Sequence, residues 1–220
     1  MRAVRNFLLM ILVLGGAAAA GYFYWDHEYR WAPHVITKDQ DEIAKILDAS
    51  GWVAPPPPST STPGASAPKL YMIAYRGCED CARFEQAALP ALRKAGVDAR
   101  VIMIARADVN GQPKSTAGER STVAELWVNR SWKLYEKWSA APADNWPAQG
   151  IPPADGDVAR SAVVEAGRAA MDKLEPLLKD NGIKLEYPVV IWWAKDGKME
   201  GCACENPHTD RFVLKDMGAD

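Results

Sequence analysis

Two cysteines separated by two residues, Cys78 and Cys81, lie where a strand-like run gives way to a helix-like run. The apolar run 70–75 predicts a buried strand, Arg76-Gly77 predicts a turn, and residues 81–95 predict a helix. Positions three apart at a helix N-terminus share one turn, so the two sulfurs can close a disulfide. Backbone amides and the positive end of the helix dipole stabilise a thiolate on the first cysteine, which makes Cys78 the predicted nucleophile. The pattern indicates redox chemistry.

The N-terminal 25 residues predict either a membrane anchor or a signal peptide. An uncharged stretch, 7–25, follows Arg2 and Arg5 and ends in an aromatic group suited to a membrane interface. It is just long enough to span a bilayer as a helix, and the arginines predict that the remainder of the chain is exported. Small residues at 17–20 fit a cleaved signal peptide as an alternative. Both interpretations deliver the cysteines to an oxidising compartment, where disulfides persist.

A short helix and a linker are predicted over residues 26–68. Thr37 to Gln40 resemble a capping box, and Gly51 follows the apolar face of a short helix that is either a spacer above the membrane or a docking element. Pro, Ser, Thr, Ala and Gly dominate the next stretch, which predicts a semi-extended linker. The globular domain is then expected over 69–220.

Charge excludes one class of partner. Of 220 residues, 48% are hydrophobic and nine are tryptophan, enough for a core. Arg2 and Arg5 precede the first acidic residue, so the chain from Asp26 onward has 24 basic and 28 acidic residues. This exported part is mildly acidic and has no long basic run, and we therefore expect no nucleic-acid partner.

The globular domain alternates predicted strands and helices. The first strand and helix lead to a second strand, which favours parallel pairing through a right-handed crossover. Pro188 opens a later apolar strand, a position that proline tolerates, and Pro176 is expected to kink or split the helix before it. The further predicted elements are a strand over 99–105, helices over 122–138 and 157–179, a strand over 187–193, a hairpin turn at 195–198, a strand over 198–201 and a helix over 209–217.

With these elements the chain resembles the thioredoxin fold, and within it the catalytic domain of periplasmic Dsb-type disulfide isomerases and reductases. The resemblance implies an α/β fold with a central sheet flanked by helices, and a helical insertion between the second strand and a cis-proline strand. It further implies that Cys78 attacks a disulfide, that Cys81 resolves the mixed disulfide, and that Pro188 is the cis-proline facing them. Tyr187, beside it, would then line the substrate groove.

The implied function is a periplasmic thiol:disulfide oxidoreductase that acts on protein disulfides or dithiols without a cofactor or metal. The resemblance places it on a bacterial inner membrane as a single-pass protein with its C-terminal domain in the periplasm, or free in the periplasm if the signal is cleaved. A thiol electron donor in the membrane would be its partner. A thiolate metal-binding or metallochaperone module and a non-catalytic thioredoxin-like adaptor remain as alternatives.

Glu79 and Asp80 separate the two cysteines, where the family often has Gly, Pro, His or Tyr. Two carboxylates at this position oppose the helix dipole and disfavour a thiolate on Cys78. The sequence therefore predicts a disulfide that is less oxidising than one in a histidine-containing motif.

A second pair, Cys202 and Cys204, follows Gly201 at the end of the last predicted strand. The resemblance implies that this strand end borders the start of the Cys78 helix. Three interpretations stay open: two buried residues or a structural disulfide, a second redox pair that relays electrons to Cys78, or a metal site completed by Cys78 and Cys81 or by His208.

Overall fold

The computed structural model describes residues 2–56, 67–143 and 145–220. The chain separates into two compact units, the first ending at Ala32 and the second spanning Pro33–Asp220. The predicted linker therefore lies largely outside the described residues.

The first unit contains one helix, α1 (Arg2–Glu28), which covers the stretch predicted as an anchor. Side chains of residues 2–5 and 7–9 in this helix lie outside the described residues. In the part of the chain that is described, no helix is both long enough and apolar enough to cross a membrane. The anchor and the signal peptide both stay predictions.

The second unit is built around a sheet that has six strands within the described residues. They are β1 (His34–Val35), β2 (Trp52–Val53), β3 (Lys69–Tyr75), β4 (Asp98–Ile104), β5 (Val189–Trp193) and β6 (Met199–Ala203). Their order across the sheet is β1-β6-β5-β3-β4-β2. The central strands β3 and β4 are parallel, whereas every other neighbouring pair is antiparallel.

Helices cover both faces of this sheet. They are α2 (Gln40–Ala49), α3 (Glu79–Ala87), α4 (Leu89–Lys94), α5 (Ala117–Asn129), α6 (Trp132–Ala140), α7 (Val158–Asp180) and α8 (Pro207–Met217). The parallel strands β3 and β4 are joined through α3 and α4, as a parallel pair requires a crossover. The helices α5, α6 and α7 lie between β4 and β5 in the chain. The result is a mixed α/β fold.

Alternation along β5 shows how the core is divided. Successive strand residues point to opposite faces, so Val190 and Trp192 belong to one buried cluster and Val189 and Ile191 to another. The first cluster takes residues from α3, α4 and α8 and includes all four cysteines. The second takes its helical residues from α2 and α7. The two cysteine pairs therefore belong to the same face of the sheet.

The N-terminal boundary of the globular part lies upstream of residue 69. The segment assigned from sequence to a spacer helix and linker contributes β1, α2 and β2 to the compact unit. Helix α2 buries Ile43, Ile46 and Leu47 in the core, so it packs within this unit. Strands of two residues carry too little alternation to be recognised in a sequence.

The capping box predicted at Thr37 does not form. The first cap of α2 is Asp39, in the left-handed region and without a side-chain cap bond. The amides of Thr37 and Lys38 instead donate to Oδ1 of Asn181, at 2.9 and 3.0 Å. A residue from the end of α7 thus satisfies amides that the sequence assigned to local capping.

One predicted helix is divided in the structure, and another continues through the proline at which it was expected to kink or split. The helix predicted over 81–95 is divided into α3 and α4, with Pro90 in the first turn of α4. Proline lacks the amide hydrogen and its ring clashes with the carbonyl four residues earlier, so the first helix ends before it. The helix α7, by contrast, is not split at Pro176. Buried residues on either side of that proline, Leu174 and Leu178, hold both halves against the core.

The helix predicted over 122–138 is also divided, into α5 and α6, because Arg130 takes up a left-handed conformation that ends α5. The remaining strand and helix predictions are confirmed with shifts at their ends. The strands predicted over 70–75 and 99–105 correspond to β3 and β4, and the apolar run after Pro188 corresponds to β5. The last strand extends to Ala203, beyond the predicted end at Gly201, so Cys202 lies within it.

Candidate functional site

The turn before Cys78 places its sulfur at the start of α3. Gly77, at the turn, has a φ of 76°, a left-handed conformation that glycine adopts without steric cost. Cys78 is the N-cap residue of α3, and the backbone N–H of Cys81 donates to its Sγ at 3.1 Å. The two cysteines form a disulfide with Cα atoms 5.2 Å apart. The helix terminus therefore directs an amide hydrogen at the sulfur of the predicted nucleophile.

The two sulfur-bearing residues differ in exposure. Cys78 is 7% exposed and Cys81 is 2% exposed. Between them, Glu79 faces solvent and Asp80 is half-buried. An incoming thiol or disulfide thus finds Cys78 the more accessible of the pair, which is the order needed for Cys78 to react first.

The backbone of Tyr187 runs directly beside Cys78. The carbonyl oxygen of Tyr187 lies 3.7 Å from Sγ of Cys78, and the Tyr187–Pro188 peptide bond is cis. The Tyr187 ring packs edge-on against Tyr75 with centroids 5.3 Å apart, and Arg106 stacks over the Tyr75 ring at 3.8 Å. Burial raises the pKa of Tyr187 to about 12, so its hydroxyl is neutral at physiological pH. These groups form one wall next to the disulfide.

The second cysteine pair lies on β6 and just after it, where Cys204 is opposite Pro188. The backbone N–H of Cys204 donates to the carbonyl of Pro188 at 2.8 Å, which continues the β5–β6 ladder by one step. The sulfurs of Cys202 and Cys204 are at disulfide distance, and their Cα atoms are 5.2 Å apart. Cys202 is 4% exposed and Cys204 is fully buried. The Tyr187–Pro188 segment thus lies beside Cys78 through the Tyr187 carbonyl and contacts the second pair through the Pro188 carbonyl.

Arg83 joins these parts and was missed in the sequence. It lies on α3 just after Cys81 and donates to the carbonyl of Cys204 at 2.7 Å. It also donates to Oδ2 of Asp210 on α8 and lies 3.7 Å from Oδ1 of Asp80. The spacing of Asp80 and Arg83, three residues apart on a helix, was a readable signal for the last contact. Nothing local in the sequence predicts the other two.

A half-buried carboxylate, that of Glu85, lies near the end of α3. Burial raises the pKa of Glu85, and the hydroxyl of Ser139 on α6 donates to its Oε2 at 3.1 Å. Arg76, two residues before Cys78, donates to the carbonyl of Ala141 just beyond α6. Two hydrogen bonds therefore connect the disulfide-bearing helix to α6 and its C-cap: one from Arg76 before α3, and one to Glu85 near its end.

Metal ligands do not converge in this region. Among the described residues, no group of three or more His, Cys, Asp or Glu side chains is placed to hold a metal ion. His208, proposed as a partner for Cys202 and Cys204, is exposed in the first turn of α8, where its backbone N–H donates to the Asn206 side chain.

No protein-family model matches the chain, and no curated protein matches it in sequence.

Proposed function

We propose that this protein is a thiol:disulfide oxidoreductase that acts on protein substrates through Cys78 and Cys81. The observation that carries the proposal is the placement of Cys78 as the N-cap of α3, where the amide of Cys81 donates to its sulfur. Amides and the helix dipole at such a terminus favour a thiolate, the form of cysteine that attacks disulfides.

The reaction has two exchange steps. The Cys78 thiolate attacks one sulfur of a substrate disulfide, forming a mixed disulfide and releasing the other substrate sulfur as a thiolate. The Cys81 thiolate then attacks Sγ of Cys78, which releases the second substrate thiol and leaves the Cys78–Cys81 disulfide. Two electrons pass from the protein to the substrate. The reverse sequence oxidises a substrate dithiol and reduces the protein.

The Tyr187–Pro188 backbone supports a role in substrate binding. The Tyr187 carbonyl is 3.7 Å from the attacking sulfur, so a peptide placed across Cys78 would pass along this segment. The aromatic wall of Tyr75 and Tyr187 offers apolar surface beside it. We assign Tyr187 and Pro188 to substrate positioning.

We propose a thioredoxin-like fold of the Dsb type for the second unit. Its support is the order of elements: β3, the α3–α4 crossover, parallel β4, three inserted helices, and the β5–β6 hairpin led by Pro188. Fold likeness alone does not determine function, so the assignment of activity depends on the cysteine site.

We further propose that this unit works in the periplasm, tethered to the inner membrane or released by cleavage, and receives electrons from a membrane thiol donor. The supporting features are Arg2 and Arg5 before the uncharged stretch 7–25 and the presence of disulfide-bonded cysteines.

The decisive experiment is a redox titration of the full chain with glutathione, followed by alkylation and mass measurement. A reversible two-electron transition of Cys78–Cys81, with Cys78 alkylated first after mild reduction, would support the proposal. In parallel, Cys81→Ala should accumulate mixed disulfides with protein substrates, because the resolving thiol is absent. A disulfide that does not exchange with glutathione at any ratio would leave a non-catalytic adaptor as the function.

A further inference from the structure

Arg83 contacts three parts of the chain that are far apart in sequence. Its Nη1 donates to Asp210 at the start of α8, and its Nη2 donates to the carbonyl of Cys204 at 2.7 Å. Its Nε lies 3.7 Å from Oδ1 of Asp80, one of the two acids inside the cysteine motif. The side chain is only 25% exposed, so these interactions are screened less than those of a surface ion pair.

The charge of Arg83 faces two carboxylates. Asp210 is 7% exposed, and burial raises its pKa although Arg83 acts in the opposite direction. Asp80 lies in the first turn of α3, the helix that Cys78 caps. Uncompensated, these carboxylates would disfavour a thiolate at that helix terminus, and a guanidinium between them offsets part of the effect.

The main chain of Cys204 connects Arg83 to the substrate side of the disulfide. Its carbonyl accepts from Arg83 and its N–H donates to Pro188 at 2.8 Å. The residue before that proline, Tyr187, has its carbonyl 3.7 Å from Sγ of Cys78. Arg83 therefore also holds in place the segment that carries the wall beside Cys78.

We propose that Arg83 is a positioning residue for the Cys78–Cys81 pair, an inference that rests on the proposed function. It offsets the charges of Asp80 and Asp210 and fixes the Cys204 main chain against α3. In the exchange, the protein disulfide and two glutathione thiols give the protein dithiol and glutathione disulfide. Arg83 shifts this equilibrium towards the protein dithiol, because it favours the Cys78 thiolate.

The test is the glutathione equilibrium of Arg83→Met in the full chain, read by alkylation and mass. We expect the equilibrium constant to move about tenfold towards the protein disulfide, which corresponds to a reduction potential lower by about 30 mV. Arg83→Lys keeps the charge but loses the planar fork, so its shift should be smaller. Adding Asp80→Asn to Arg83→Met should recover part of the shift, because one uncompensated carboxylate is removed.

Arg120 provides a matched control. It also binds one carboxylate, Asp155, and one main-chain carbonyl, that of Ser115, and its side chain is 23% exposed. Arg120→Met loses comparable interactions but none with a cysteine segment, so it should leave the equilibrium constant unchanged. An equal shift in Arg120→Met, or no shift in Arg83→Met, would overturn the proposal.

Asp210→Asn keeps the test decisive if Arg83→Met does not fold. It removes a carboxylate and leaves the guanidinium, so the equilibrium should move towards the dithiol, opposite in sign to Arg83→Met. No shift, or a shift towards the disulfide, would contradict the role of Arg83. If the parent disulfide itself fails to exchange with glutathione, the proposed function fails; if it exchanges and the Arg83 variants match the parent, only this inference fails.

Discussion

The two cysteine pairs have the same Cα separation, 5.2 Å, but their backbones are held differently. At the first pair, the amide of Cys81 points at the sulfur of Cys78. At the second pair, the N–H of Cys204 donates to the carbonyl of Pro188, and the carbonyl of Cys204 accepts from Arg83. Cysteine reactivity therefore depends on what the neighbouring backbone amide binds. A free amide at a helix terminus can stabilise a thiolate, whereas an amide that is hydrogen-bonded within a strand ladder cannot.

Exposure points the same way. Cys78 is the most exposed of the four cysteines and Cys204 the least. We therefore expect the first pair to react and the second to support it through the main chain. Of the three interpretations left open for Cys202 and Cys204, the lower exposure favours a structural role. The predictions below test this difference between the reactive first pair and the structural second pair.

The largest expected effect is the loss of the nucleophile. Cys78→Ser should lower the rate of insulin-type disulfide reduction by about 10³-fold or more, because the other three cysteines are less exposed and none of them caps a helix. The rate measured with dithiothreitol as electron source gives the comparison. Cys202→Ala/Cys204→Ala is the matched variant and should keep most of the activity. Equal loss in both would show that the second pair takes part in the reaction.

The second pair should matter for stability. Cys202→Ala/Cys204→Ala removes a short cross-link between buried residues, and we expect the free energy of unfolding to fall by about 1–2 kcal/mol. Urea denaturation under non-reducing conditions measures it. A stability equal to that of the parent, accompanied by a change in turnover, would favour a redox relay over a structural role.

The free energy of unfolding should depend on pH through Glu200, which lies on β6, the strand that contains Cys202. Burial, a hydrogen bond with the Asp216 carboxyl, and the charges of Asp216 and Asp196 raise the pKa of Glu200 to about 7. A carboxyl with a raised pKa in the folded state binds its proton more tightly there, so stability is full below the usual value of 4.5 and declines as the pH rises through about 7.

Because Glu200 is partly exposed, solvent screening reduces this contribution to about 1 kcal/mol. Denaturation at a series of pH values should show the decline in the parent, and Glu200→Gln should flatten it. Asp216→Asn should act in the same direction, since it removes the neighbouring carboxylate. An unchanged slope in both variants would refute the assignment.

The smallest expected effect concerns the acids between Cys78 and Cys81. Replacing Glu79 and Asp80 by their amides should raise the reduction potential by about 10–20 mV, as expected for charges at a helix terminus. Arg83 already offsets Asp80, so Glu79→Gln alone should give most of the change. A glutathione titration measures both variants, with Glu42→Gln on α2 as an exposed control. An unchanged potential would mean that solvent screens both carboxylates.

Much of the fold could be predicted because its central elements are long and strongly patterned. The run 70–75 is apolar throughout and became β3, and Pro188 marked the start of the strand that follows it. Where patterns were short, prediction was wrong: β1 and β2 have two residues each, and Asn181 replaced the capping box expected at Thr37. Short segments acquire their structure from their neighbours in space.

The candidate site divides in the same manner. The roles proposed for Cys78 and Cys81 were predicted from two cysteines one turn apart at the start of a helix, a relation between residues close in the chain. Arg83 was missed because its partners at Cys204 and Asp210 lie 121 and 127 residues away. Such a contact depends on the order of strands in the sheet, which cannot be read from the residue types around Arg83.

By itself, then, the sequence determined the strand-turn-helix junction that directs an amide at Cys78, because hydrogen bonds and side-chain faces within one turn depend only on residues close in the chain. The tertiary structure decided that the Tyr187–Pro188 segment contacts both Cys78 and Cys204, and that Arg83 hydrogen-bonds to the Cys204 carbonyl. The antiparallel pairing of β5 with both β3 and β6 brings these residues together. Strand order arises from packing of the whole core, and it is this packing that turned two separate cysteine motifs into one connected site.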